Sequence, residues 1–152
     1  MRSTRSGGWS GPRRLDSAQN GNETGGPLTR IRGLMSIKNA LASVAVRDLN
    51  AAMEWYARVL GKPPDSRPMP EVAEWQFDRG GWLQVYQLPE RAGSGSFTLA
   101  VSNIGEHVAQ LTDLGVDTGQ QSSGDKVKTL MIADPDGNHI AFAEAIETSM
   151  AR

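Results

Sequence analysis

From Leu41 onward, apolar and polar residues follow two regular periods. Leu41–Arg47 alternates, with Ala42, Val44 and Val46 on one face and Leu41, Ser43 and Ala45 on the other, which is the period of a strand. Asp48 is a good helix N-cap, and Leu49, Ala52, Met53, Tyr56 and Leu60 then recur in steps of three and four, forming one helical stripe. Gly61, Pro63 and Pro64 end that helix and lead into a proline-rich loop. Ala73–Asp78 and Trp82–Leu88 read as two strands joined by a turn at Arg79-Gly80-Gly81.

The same order then returns. Phe97–Val101 alternates with Phe97, Leu99 and Val101 on the core face, and Asn103 caps a helix with the stripe Ile104, Val108, Leu111 and Leu114, stopped by Gly115. Val127–Ala133 and Ile140–Ala145 read as strands around the turn Asp134-Pro135-Asp136-Gly137-Asn138. The segment from Val44 to Leu49 matches the segment from Leu99 to Ile104, 55 positions on, in strand, cap and helix start. The pattern is an internal repeat. It predicts an α+β fold of two modules at about 37–90 and 95–147, each strand–helix–strands, together forming one curved mixed sheet with helices outside and a cup inside.

Residues 1–34 lack either period. They hold 7 of the 17 glycines and 6 of the 16 basic residues, so this stretch is expected to be a disordered extension. The folded domain is then 35–148, and Met35 is a candidate natural start. The net charge is −1 for the whole chain and −5 for 35–152, which gives no electrostatic reason to expect nucleic acid or an anionic membrane as partner. The chain has no cysteine, which excludes disulfides and thiol chemistry and suits a reducing, cytoplasmic location.

Val44-Ala45-Val46-Arg47-Asp48-Leu49, Trp55-Tyr56, Leu60-Gly61 and the Asp-Pro-Asp-Gly-Asn turn, in that order and at those spacings, resemble the vicinal oxygen chelate superfamily. That superfamily includes glyoxalase I, bleomycin and fosfomycin resistance proteins and extradiol dioxygenases. The resemblance spans about 37–147. It implies paired βαβββ modules, a homodimer, a small-molecule pocket in the cup and, in catalytic members, a divalent metal held by His, Gln or Glu. The four corresponding positions here are Leu41, Gln84, Ser96 and Ala141. Leucine and alanine offer no donor, serine is a poor neutral ligand and glutamine is at best one weak donor. A one-residue slip in the first strand brings in only Ala40 or Ala42.

The other polar candidates have plain alternatives. Alternation puts His139 on the cup side, as a rim residue or as a catalyst acting without metal. His107, on the second helix, is expected to be exposed. Glu144 faces away from the cup, and Glu147 lies at or beyond the end of the last strand. Asp134 and Asp136 are placed to hydrogen-bond the turn backbone. Trp82 and Tyr86 share the face of Gln84, and Trp75 with Phe77 offers a second aromatic pair on the neighbouring strand, or else core under the helices. Ser43 and Ser96 add hydroxyls. Trp82, Gln84, Tyr86, Ser43, Ser96, Trp75 and His139 are therefore the candidate ligand-binding residues, suited to a planar or apolar small molecule.

The expected function is a binding protein without metal or other cofactor. The alternative is an enzyme, a glyoxalase-type lyase or dioxygenase acting on a small molecule. A chain starting at Met35 should melt at the same temperature as the full chain, and a lower melting temperature would show that the extension packs on the fold.

Overall fold

The computed structural model describes residues 36–146. The extension assigned to 1–34 lies outside these residues. Among the described residues, all the strands and helices lie within 41–145. Among the described residues no helix is long and apolar enough to cross a membrane.

The first module runs β1 (Leu41–Val46), α1 (Leu49–Leu60), β2 (Ser66–Met69), β3 (Val72–Gln76) and β4 (Trp82–Gln87). The second runs β5 (Ser96–Ala100), α2 (Ile104–Asp113), β6 (Gln120–Ser123), β7 (Val127–Ala133) and β8 (His139–Ala145). Their sheets have the same order, β1-β4-β3-β2 and β5-β8-β7-β6, with one parallel pair at β1/β4 and β5/β8 and antiparallel pairs elsewhere. This is the twofold βαβββ repeat. Each module keeps its own ladder, so the mixed sheet is divided between β1 and β5.

The helix boundaries follow from their caps. The Asp48 carboxylate accepts from the Asn50 and Ala51 amides, and Gly61 closes α1 in the left-handed conformation, at φ 80°. Asn103 caps α2 through the Glu106 amide. Two strands differ from the sequence reading. β2 falls inside the proline-rich loop and β6 is the polar run Gln120–Ser123. Both are outer strands paired on one side only, so they need neither apolar alternation nor a full set of amide donors, and Pro68 is tolerated in β2.

Each helix covers one face of its sheet. Leu49, Ala52, Tyr56 and Val59 of α1 belong to one core with Val44, Val46, Ala73, Trp75, Leu83 and Val85. Leu111 of α2 belongs to the same core with Phe97, Leu130, Ile132, Ile140 and Phe142. His107 is half-buried rather than exposed, because its ring packs 5.3 Å from that of Phe142 in the middle of β8.

The modules are joined by the turn between β7 and β8. Asp134 is 5% exposed and accepts four hydrogen bonds, from the Asp136 amide (3.0 Å), the Asn138 amide (2.9 Å), the Asn138 side chain (2.8 Å) and the Tyr56 hydroxyl of α1 (2.8 Å). Asn138 is fully buried. It donates to the Ala45 carbonyl of β1 at 2.8 Å and accepts the Gly93 and Gly95 amides. Asp136 accepts the Arg47 amide at 3.1 Å. Gly93 has to be glycine here, because a Cβ would lie 2.4 Å from the Asp136 carbonyl oxygen. Asp134 thus holds the turn backbone, as the turn sequence indicated, whereas Asp136 reaches across to the Arg47 amide of the first module instead.

Asn138→Ala should lower the melting temperature by about 10 °C or more, because it leaves buried amides and a carbonyl without partners. A change of about 2 °C or less would show that the turn does not join the modules. Burial, and then the Asp134 carboxylate beside it, hold the Tyr56 hydroxyl protonated well above its ordinary range. A tyrosine in the unfolded chain ionises near pH ~10. The stabilisation is therefore complete below that pH and is lost as pH rises above it. Tyr56→Phe should accordingly cost about 2 kcal/mol at neutral pH and flatten the fall in stability above pH ~10. An identical alkaline fall in both proteins would contradict this.

Candidate functional site

The face of each sheet opposite its helix holds exposed and half-buried side chains, apart from Ala45 and Val72, which are buried at 4% and 6% exposure. On the first sheet, strand register arranges nine side chains in three rows across β1, β4 and β3. The rows are Leu41–Trp82–Gln76, Ser43–Gln84–Glu74 and Ala45–Tyr86–Val72. Adjacent strands lie ~4.8 Å apart, and successive rows are about 6.8 Å apart along a strand. Each outer row therefore holds one aromatic ring, and the middle row is entirely polar. Trp82, Gln84 and Tyr86 are half-buried, and Leu41 is 46% exposed. The Ser43 hydroxyl donates to Oε1 of Gln84 over 3.4 Å, a long hydrogen bond.

On the second sheet the corresponding rows are Ser96–His139–Ala133, Thr98–Ala141–Met131–Gln120 and Ala100–Ala143–Thr129–Ser122. These are mainly small side chains, which leave room above them. A shallow depression of about 160 Å³ is lined by Val116, Asp117, Gln120, Met131, Ala133 and His139, among others.

The structure brings Ser43, Trp82, Gln84 and Tyr86 together on the first sheet, and Ser96 and His139 together on the second. Trp75 is on the other side. It is fully buried under α1, with its ring 6.0 Å from Tyr56 and its indole N–H donating to the Lys62 carbonyl at 2.9 Å. The expectation that it lines the ligand face is corrected for a reason of register. Gln76 pairs with Trp82 across the hairpin, so β3 contributes its even-numbered residues to that face. A buried indole also needs an acceptor, and the loop after α1 supplies one. Glu144 faces the helix side, 4.0 Å from Lys128.

The same register brings in a residue that sequence reasoning missed. Glu74 ends the middle row of this face on β3, opposite Gln84 and half-buried. The signal lay in the hairpin, where pairing Gln76 with Trp82 would have placed Glu74 beside Gln84. The conspicuous Trp75 and Phe77 pair drew the assignment to the opposite parity.

Leu41, Gln84, Ser96 and Ala141 all lie on the uncovered faces, so the alternation used to place them holds. Leu41 and Ala141 have no donor atom, and the set does not fit a divalent cation. Among the described residues no three His, Asp or Glu side chains converge as a metal site.

Residues 42–143 match the model of a glyoxalase-like domain. No curated protein matches the sequence. Among solved structures, a glyoxalase/bleomycin resistance protein from Catenulispora acidiphila DSM 44928 is 35% identical, with a TM-score of 0.65 over 71% of this chain and 98% of the other. Two more distant structures share the fold. TnmS3, an antibiotic binding protein from Streptomyces sp. CB03234, is 22% identical, with a TM-score of 0.63 over 72% of this chain and 96% of the other. TioX from Micromonospora sp. ML1 is 19% identical, with a TM-score of 0.61 over 72% of this chain and 100% of the other. Two copies of one βαβββ unit, the joining Asp-Pro-Asp-Gly-Asn turn and the family match agree: the chain belongs to the glyoxalase-like domain family of the vicinal oxygen chelate superfamily.

Proposed function

We propose that this protein binds a planar or apolar small molecule on the uncovered face of its first sheet, without a metal, and acts as a cytoplasmic homodimer. The observation that carries this reading is the three-row grid itself, with Trp82 and Tyr86 on either side of a polar middle row. Flat apolar rings around a few hydrogen-bonding groups are the composition of a small-molecule site. The antibiotic-binding description of TnmS3 is consistent with a binding role for this fold. The donor set is the second support. A superfamily enzyme that polarises its substrate through a metal needs ligands that Leu41 and Ala141 cannot supply. The homodimer follows from the exposure of Leu41 and the half-buried rings, since a second copy is the simplest cover for an apolar face.

Native mass spectrometry with metal analysis tests the reading as a whole. The expected result is a dimer mass with no stoichiometric metal, and a melting temperature unaffected by EDTA. A fall in melting temperature with EDTA, restored by nickel, zinc, manganese or iron, would overturn the metal-free reading in favour of a lyase or dioxygenase. With acridine as a neutral planar probe, Trp82→Ala should cost about 2 kcal/mol of binding and Gln84→Ala about 1 kcal/mol, as measured by calorimetry. Equal affinity for Trp82→Ala and the unaltered protein would remove this face as the site.

A further inference from the structure

The ligand face is electrically one-sided. Of the nine side chains in the first sheet's grid, only Glu74 carries a charge at neutral pH. On the second sheet, the residues of the same parity on β5, β7 and β8 and their β6 partners include one titratable group, His139, and no lysine or arginine. Of the basic residues around β3, Arg79 lies in the hairpin turn outside the grid, and two others are engaged within the chain. Lys62 pairs with Asp65 at 2.9 Å, and Arg67 donates to the Pro70 carbonyl at 2.8 Å.

Glu74 itself receives no hydrogen bond or ion pair through its side chain from any described residue, although it is half-buried. Its neighbour Gln84 is contacted by Ser43 on the opposite strand. Both oxygens of this carboxylate reach solvent, so the group is open to a donor from outside the chain. The diagonal neighbours of Glu74 across β4 are Trp82 and Tyr86. Diagonal positions lie within reach of large rings, and ring faces attract cations held within about 6 Å. A carboxylate between two aromatic rings matches one kind of ligand in particular.

From this geometry we infer that the ligand is an aromatic cation, a planar ring system bearing a protonated amine or amidinium, with Glu74 as the residue that selects its charge. The inference rests on the proposed binding face and adds to it the chemical class of the ligand. The rings of Trp82 and Tyr86 contact the plane, Glu74 receives the cationic N–H, and Ser43 and Gln84 supply neutral hydrogen bonds. Anionic planar molecules are rejected, because no cation on the face can pair with them.

Three acridines of nearly the same shape test this by calorimetry at neutral pH. They are 9-aminoacridine, which is cationic, acridine, which is neutral, and acridine-9-carboxylate, which is anionic. The cation should bind about tenfold or more tightly than acridine, and the anion more weakly than either. Glu74→Gln should reduce the preference for the cation over acridine to about twofold. A salt series on the unaltered protein gives an independent reading. Sodium chloride at ~0.5 M should weaken 9-aminoacridine binding and spare acridine. Equal binding of cation and neutral dye, or a preference that survives in Glu74→Gln, would overturn the inference. If acridine still bound in a Trp82-dependent way, the binding face would stand without it. If no dye bound in a Trp82-dependent way, both the face and the inference would fall.

Discussion

Asp134 is a carboxylate buried at the junction of the two modules, and among the described residues no lysine or arginine pairs with it. A charge in that position is tolerable only if its lone pairs are filled, and four donors fill them. One of those donors is Tyr56, which comes from the helix of the other module. Another is Asn138, whose amide group also reaches the β1 backbone. Satisfying this single carboxylate therefore fixes the β7–β8 turn, the seat of α1 and the approach of β1 to β5. The apolar packing of Tyr56 on Trp75 and on Phe97 then closes the core around it. The two halves of the repeat are held in register by a polar network, with hydrophobic burial supplying most of the stability.

That network operates on the helix side, which leaves the opposite faces free to vary. Residues committed to holding the fold, such as Val44, Val46, Leu83, Val85, Ile140 and Phe142, occupy one parity of each strand. The other parity carries the rings, amides and Glu74. Alternation along a strand thus separates most of the side chains that hold the fold from those left on the other face, with Ala45 and Val72 as exceptions. This separation explains how one fold can serve as a metalloenzyme scaffold or as a binding surface, with a few side chains on one parity deciding between them.

Much of the fold was legible because its signals are local and redundant. A cap, a stripe and a glycine stop coincide for each helix, and the repeat doubles every signal. The role of Asp134 was also readable, since an aspartate beside proline and glycine has backbone amides within reach. Three features were not readable. β2 and β6 bury almost nothing, so no apolar period marks them. The side of β3 that carries Trp75 depends on the pairing of Gln76 with Trp82 across the hairpin, a register that neither composition nor the alternation of β3 alone sets. Glu74 carries no mark of its own in the sequence, and only that register places it beside Gln84.

The central claim is that recognition occurs on the Trp82 side of the first sheet and not in the core around Trp75. The indole N–H resonances of the two tryptophans report on the two sides separately, since that of Trp75 is held by the Lys62 carbonyl. Titrating 9-aminoacridine into nitrogen-15-labelled protein, with assignments made from single tryptophan substitutions, reads both at once. The account predicts a saturating shift of the Trp82 resonance with that of Trp75 unmoved. A shift of Trp75 with Trp82 unmoved would place the ligand on the helix side and contradict it.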